Sequence, residues 1–96
     1  MAHEGYHEPV DKLSPQTMDL HRAIISLIEE LEAVDWYNQR VDACTDAELR
    51  NILAHNRDEE IEHASMTLEW IRRRNPVFDR ELREVLFKDG PITGQH

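Results

Sequence analysis

After Ser14-Pro15 and up to about Val41 the chain carries neither glycine nor proline, and Leu20, Ala23, Ile24, Leu27, Leu31 and Val34 recur at steps of three and four. That spacing is the period of an amphipathic helix. Ser14 has the chemistry of an N-cap, and Pro15 suits the first helical position, where its missing N–H costs nothing. A second periodic run carries Leu49, Ile52, Leu53, Ala64, Leu68 and Ile71 to about Arg74. Thr45-Asp46-Ala47-Glu48 has the form of a capping box and marks its start. Asn75-Pro76 marks its stop, because the residue before a proline avoids the helical region. A short third helix is expected over about Val77 to Lys88, with Phe78, Leu82, Val85 and Leu86 on one side and Asp89-Gly90-Pro91 ending it. No strand pattern or internal repeat interrupts this order. The fold class is therefore all-α: a loose arm over residues 1–13, an antiparallel two-helix hairpin with a short third helix over residues 14–90, and a tail over residues 91–96.

Each long helix has roughly 27 residues and is about 40 Å long at 1.5 Å per residue. Two such helices cannot cover each other's apolar stripes, and a chain of 96 residues has little else to bury them with. A second copy solves this economically: two hairpins pack into a four-helix bundle. Homodimerisation is thus expected from the shape of the chain alone.

Charge narrows the partners. Twenty acidic residues stand against 11 basic ones, a formal net charge of −9, which disfavours nucleic acid and anionic membranes and suits cations. The mean hydropathy of −0.69 leaves no transmembrane span, and no basic stretch followed by an apolar run has the form of a signal peptide. Cys44 is the only cysteine; it cannot close an intrachain disulfide and fits a reducing, cytoplasmic setting.

Glu60 and His63 are three apart on the second helix and so share a face. Glu-x-x-His is the spacing by which di-iron bundles offer a carboxylate and an imidazole to one metal pair, although short Glu/His patterns are common on acidic helices. Register sharpens it. Glu60 and His63 continue the line Leu49, Ile52, Leu53, Asn56 to Thr67, and Glu30 interrupts Ala23, Leu27, Val34 and Tyr37 in the same way. A carboxylate turned toward a core costs several kcal/mol unless it is paired or coordinated. With a turn near residues 42–45, Glu30 and the Glu60/His63 pair fall within about 5 Å of one level along the axis. One chain offers one Glu helix and one Glu-x-x-His helix, half of what a ferritin-like site takes. Two copies supply four carboxylates and two imidazoles, a donor set for iron or manganese rather than copper.

The segments Glu29-Glu30-Leu31-Glu32-Ala33-Val34-Asp35-Trp36-Tyr37 and His55-Asn56-Arg57-Asp58-Glu59-Glu60-Ile61-Glu62-His63-Ala64 resemble those of the encapsulated ferritins, and the similarity runs from about His7 to Thr93. The resemblance implies a ferroxidase carried as cargo in an encapsulin nanocompartment, assembled as a decamer, a pentamer of dimers. It implies Glu30, Glu60 and His63 as ligands of a di-iron centre at a subunit interface, with Tyr37 close by. It also implies a metal-uptake site at Glu29, Glu32 and Trp36, and a peripheral metal group at His55, Glu59 and Glu62. Arg72-Arg73-Arg74 is expected to complement the C-terminal end of the helix dipole. His3 and His7 in the arm carry no assigned role. Members of that family usually continue into a C-terminal targeting peptide, whereas this sequence stops at Gly94-Gln95-His96.

Besides ferroxidase, the residues alone leave open a metal buffer that binds without oxidising and a structural dimerising hairpin with solvated acids.

Overall fold

The computed structural model describes residues 5–94; His3 with the start of the arm, and Gln95-His96 of the tail, lie outside the described residues. A 3-10 turn over Val10–Lys12 leads into α1 (Pro15–Ala43), α2 (Ala47–Arg74) and α3 (Pro76–Val85). No strand is present among the described residues. The arm is not wholly loose: the Tyr6 ring lies 4.5 Å, centroid to centroid, from His21 of α1.

Local chemistry sets each boundary. The Ser14 hydroxyl accepts the Thr17 N–H at 3.1 Å, with Pro15 as the first helical residue. At the second helix the cap is Asp46 rather than Thr45: its Oδ2 accepts the Leu49 N–H at 2.8 Å, so the helix begins one residue later than the capping-box pattern places it. A carboxylate at this position also faces the positive end of the helix dipole. Asn75 has extended backbone (φ −128°, ψ 111°), as its following proline requires, and thereby ends α2. The same residue starts α3, because its Oδ1 accepts from both Val77 N–H and Phe78 N–H.

The third helix stops at Val85, three residues short of the expected end at Lys88. Leu86 turns extended, and Phe87 takes a left-handed backbone with φ 59° while its ring is fully exposed. The glycine expected to end the helix, Gly90, does adopt positive φ (89°), but only after the turn has been made.

Helices α1 and α2 pack along each other, and α3 folds back on the end of α2. What this hairpin cannot do is enclose a core. Among the described residues only Ala64 and Ile71 are buried, while Leu31, Trp36, Ile52 and Met66 are each more than half exposed. Apolar area left in water forgoes about 25 cal/mol per Å². The expectation that two long helices leave their stripes uncovered holds in the single chain.

The arginine run occupies the last turn of α2, as the dipole reading requires, and also makes specific side-chain contacts. Arg72 grips Glu69 at 2.7 Å and also pairs with Asp79, tying α2 to α3. Arg73 pairs with Glu69 at 2.6 Å, and the Arg74 guanidinium lies over the Trp70 ring at 4.8 Å. Arg72 and then Arg73 hold the Glu69 carboxyl down at about 2, against 4.5 for an ordinary glutamate, and Arg72 with Arg83 lowers Asp79 in the same direction.

Candidate metal centre

Glu30 lies 13 positions before Ala43, where α1 ends, and Glu60 lies 13 positions after Ala47, where α2 begins. At 1.5 Å per residue both stand roughly 20 Å above the turn. The small offset expected from sequence disappears because α1 runs on to Ala43 instead of stopping near Val41 and α2 begins at Ala47, one residue after Asp46.

Glu30 is half-buried, and its Oε1 is a buried atom with no hydrogen-bond partner. An unsatisfied buried carboxylate oxygen is costly, and native proteins keep few of them without a reason. Coordination to a cation would satisfy it. Across the hairpin, Glu60 and His63 are both half-buried, with Glu60 Oε1 3.4 Å from His63 Nδ1. The helical spacing of three places carboxylate and imidazole side by side, as the sequence requires.

His63 also faces the other way. Its Nε2 lies 3.9 Å from Glu59 Oε2, and donor atoms of Glu59, Glu62 and His63 all fall within 4.8 Å of one another. His55 Nε2 is 3.1 Å from Glu59 Oε1. Of the peripheral group that the resemblance implies, His55 and Glu59 are thus paired, and Glu62 lies with Glu59 and His63. Both histidines lie four positions from Glu59, but His55 is seven positions, about two turns, from Glu62, whereas His63 is adjacent to it.

On α1, Tyr37 stands two turns from Glu30, half-buried, with the Arg40 guanidinium 5.3 Å from its ring centroid. A cation at that distance is held by the ring's negative face. Glu29 and Trp36 are exposed and Glu32 is half-buried, so the three positions expected to take up metal are open to water. Sequence reasoning passed over Asn38 and Arg57, whose side chains join α1 to α2 at 3.0 Å. A pair 19 positions apart has no periodic signature; only a known register reveals it.

A family model described as EncFtn-like matches residues 5–89. The chain belongs to the EncFtn-like family. The resemblance to encapsulated ferritins is thus borne out over almost the whole helical region. An EncFtn-like relative from Rhodospirillum rubrum, called "Encapsulated ferritin-like protein", is 63% identical over 87 residues, covering 91% of this chain and 62% of that protein. A "Ferritin-like protein" of Thermotoga maritima is 57% identical over 90 residues, covering 94% of this chain and 79% of its own length. An "Encapsulin nanocompartment cargo protein EncC" from Myxococcus xanthus is 36% identical over 89 residues, 88% of this chain and 68% of that protein. The fold matches the crystal structure of protein ne0167 from Nitrosomonas europaea with a TM-score of 0.89 and 67% sequence identity, over 94% of this chain and 99% of that one. The chain accordingly spans less than two thirds of the Rhodospirillum protein it resembles.

Proposed function

We propose that this EncFtn-like chain is one half of a ferroxidase, and that two copies pair to hold two iron ions between Glu30, Glu60 and His63 of each. The observation that carries the reading is the partnerless buried oxygen of Glu30, at the same height as Glu60 and His63. The extensive exposed apolar surface of the hairpin supports pairing as a four-helix bundle, since a second copy would cover it. No helix among the described residues is long and apolar enough to cross a membrane.

Iron is the substrate, and each ferrous ion gives one electron to dioxygen. The protein's part is positional. Facing carboxylates neutralise the cations and hold two reducing centres together, which removes the entropy of bringing them to one oxidant. His63 caps the carboxylate set, and its Nδ1 contact with Glu60 orients both. Glu29, Glu32 and Trp36 lie on the open side of α1 for metal uptake, and Glu59 and Glu62, with His55, form an outer acidic group that raises local cation concentration. Tyr37 borders the centre and can donate a hydrogen bond to a ligand carboxylate. The relatives' descriptions as encapsulated and as encapsulin cargo support an encapsulin shell as the partner that stores the product, with pairs assembled further into a ring such as a decamer.

Mixing the anaerobic protein with ferrous iron and admitting air should give a fast ferric absorbance rise. Glu30→Ala, Glu60→Ala and His63→Ala should each remove most of it. Unchanged rates would overturn the assignment, and binding without oxygen consumption would make the protein a metal buffer.

A further inference from the structure

The apolar seam between α1 and α2 does not by itself choose one register. Leu20, Ala23, Leu27 and Val34 repeat at steps of three, four and seven, so sliding one helix past the other by a turn sets apolar against apolar again. Few side chains oppose such a slide by deep burial, since Ala64 and Ile71 alone are buried among the described residues. Yet the shared level of Glu30 and Glu60 requires one register, and a slide of one turn, about 5 Å, would destroy it.

Arg57 and Asn38 supply what the seam lacks. Arg57 Nη1 donates to Asn38 Oδ1 at 3.0 Å, from the middle of α2 to the last third of α1. Asn38 lies 5 positions before Ala43 and Arg57 lies 10 positions after Ala47, so the bond runs diagonally. It can do so because helical side chains lean toward their own N-terminus, which for Arg57 is toward the turn. The guanidinium is further fixed by its Nε, which donates to Asp58 Oδ1 at 3.1 Å, and the Arg57 side chain is only 27% exposed. A diagonal strut of this length closes at one register and opens at its neighbours. Asn38 is itself exposed, so the bond lies at the water-facing edge of the seam and bears on alignment rather than on stability.

We propose that Asn38 and Arg57 form the register pin of the hairpin, and so are positioning residues for the Glu30/Glu60 pair. The consequence for iron rests on the ferroxidase reading, but the pin itself does not. Spin labels at Ser26→Cys and Asn51→Cys in a Cys44→Ser background, both on exposed positions, are offset by 13 positions, about 20 Å along the axis. Their distance is read in metal-free chain diluted with unlabelled protein. Arg57→Met, which keeps the apolar stem, should add a second population displaced by about 5 Å. Asn38→Leu should do the same, and the double variant should be no worse than either single one. Arg57→Lys, retaining a donor and the charge, should recover the single population. In iron oxidation, Arg57→Met should lower kcat about tenfold while leaving KM for ferrous iron within about twofold, because uptake is intact and alignment is not. A distance distribution unchanged by Arg57→Met and Asn38→Leu would overturn the pin. A shifted distribution in a protein whose unsubstituted form oxidises no iron would uphold the pin and sink the ferroxidase reading instead.

Discussion

Glu30 of α1 and Glu60 of α2 stand level across the hairpin, each 13 positions from the end of its helix at the turn, and Glu30 keeps a buried oxygen there without a hydrogen-bond partner. This relationship makes the metal-free chain store an unfavourable interaction at the place where function is proposed. Residues that serve chemistry rather than stability commonly show this conflict.

Replacing Glu30 by leucine should therefore stabilise the metal-free protein while ending iron oxidation. Removing an unsatisfied buried carboxylate should return about 1–3 kcal/mol, seen as a higher urea midpoint with an unchanged slope. A midpoint that falls would mean that Glu30 is satisfied in solution by something other than metal.

Acid should release α3 before it unfolds the hairpin. Glu69 titrates at about 2 in the folded chain against 4.5 unperturbed, chiefly through its hydrogen bonds with Arg72 and then Arg73, and Asp79 is lowered mainly by Arg72. A carboxylate with a depressed folded pKa contributes its full stabilisation above the unfolded value and loses it as pH falls toward the folded one. The Glu69 pairs within α2 should thus fade between 4.5 and about 2, while the Arg72–Asp79 tie between α2 and α3 should be fully present above Asp79's ordinary value of 3.8 and fade as pH falls below it. Amide exchange along α3 should accelerate in that window; exchange insensitive to pH beyond the intrinsic chemical dependence would contradict it.

Asn75 ends one helix and caps the next, so Asn75→Ala should affect α3 selectively. Its Oδ1 accepts two N–H groups, from Val77 and Phe78. Loss of such a cap costs about 1 kcal/mol. Helical chemical shifts should decline over Pro76–Val85 and persist over α1 and α2.

Phe87 combines a left-handed backbone with a ring in open water. In the isolated chain, Phe87→Gly should remove about 1 kcal/mol of backbone strain and lose no packing. A raised midpoint is expected in dilute metal-free protein. A lowered one would show that the ring is covered in solution.

Much of this was legible in the residues. Both long helices could be read because their apolar positions repeat over many turns and their ends carry Ser14, Asp46 and Asn75. The Glu30/Glu60/His63 level was legible because helical rise is constant, so counting from a turn measures distance. Features that depend on how side chains reach across space were not. The Arg72 run is legible as dipole compensation, but its pairing with Asp79 of the next helix is not. The early stop of α3 lies in the backbone of Phe87, a residue with no intrinsic preference for positive φ. That Glu59 meets both His55 and His63 is a matter of side-chain direction, which spacing alone leaves open.

Native mass spectrometry under anaerobic conditions, with and without ferrous iron, bears most directly on a metal centre shared between two copies. Without metal, converging carboxylates repel, so monomer should predominate; with iron, the mass should move to paired or larger assemblies carrying two iron ions per pair at the Glu30/Glu60/His63 centre, and Glu30→Ala should abolish that shift. Iron bound by single chains without association, or a mass distribution indifferent to iron, would contradict a site completed by a second copy.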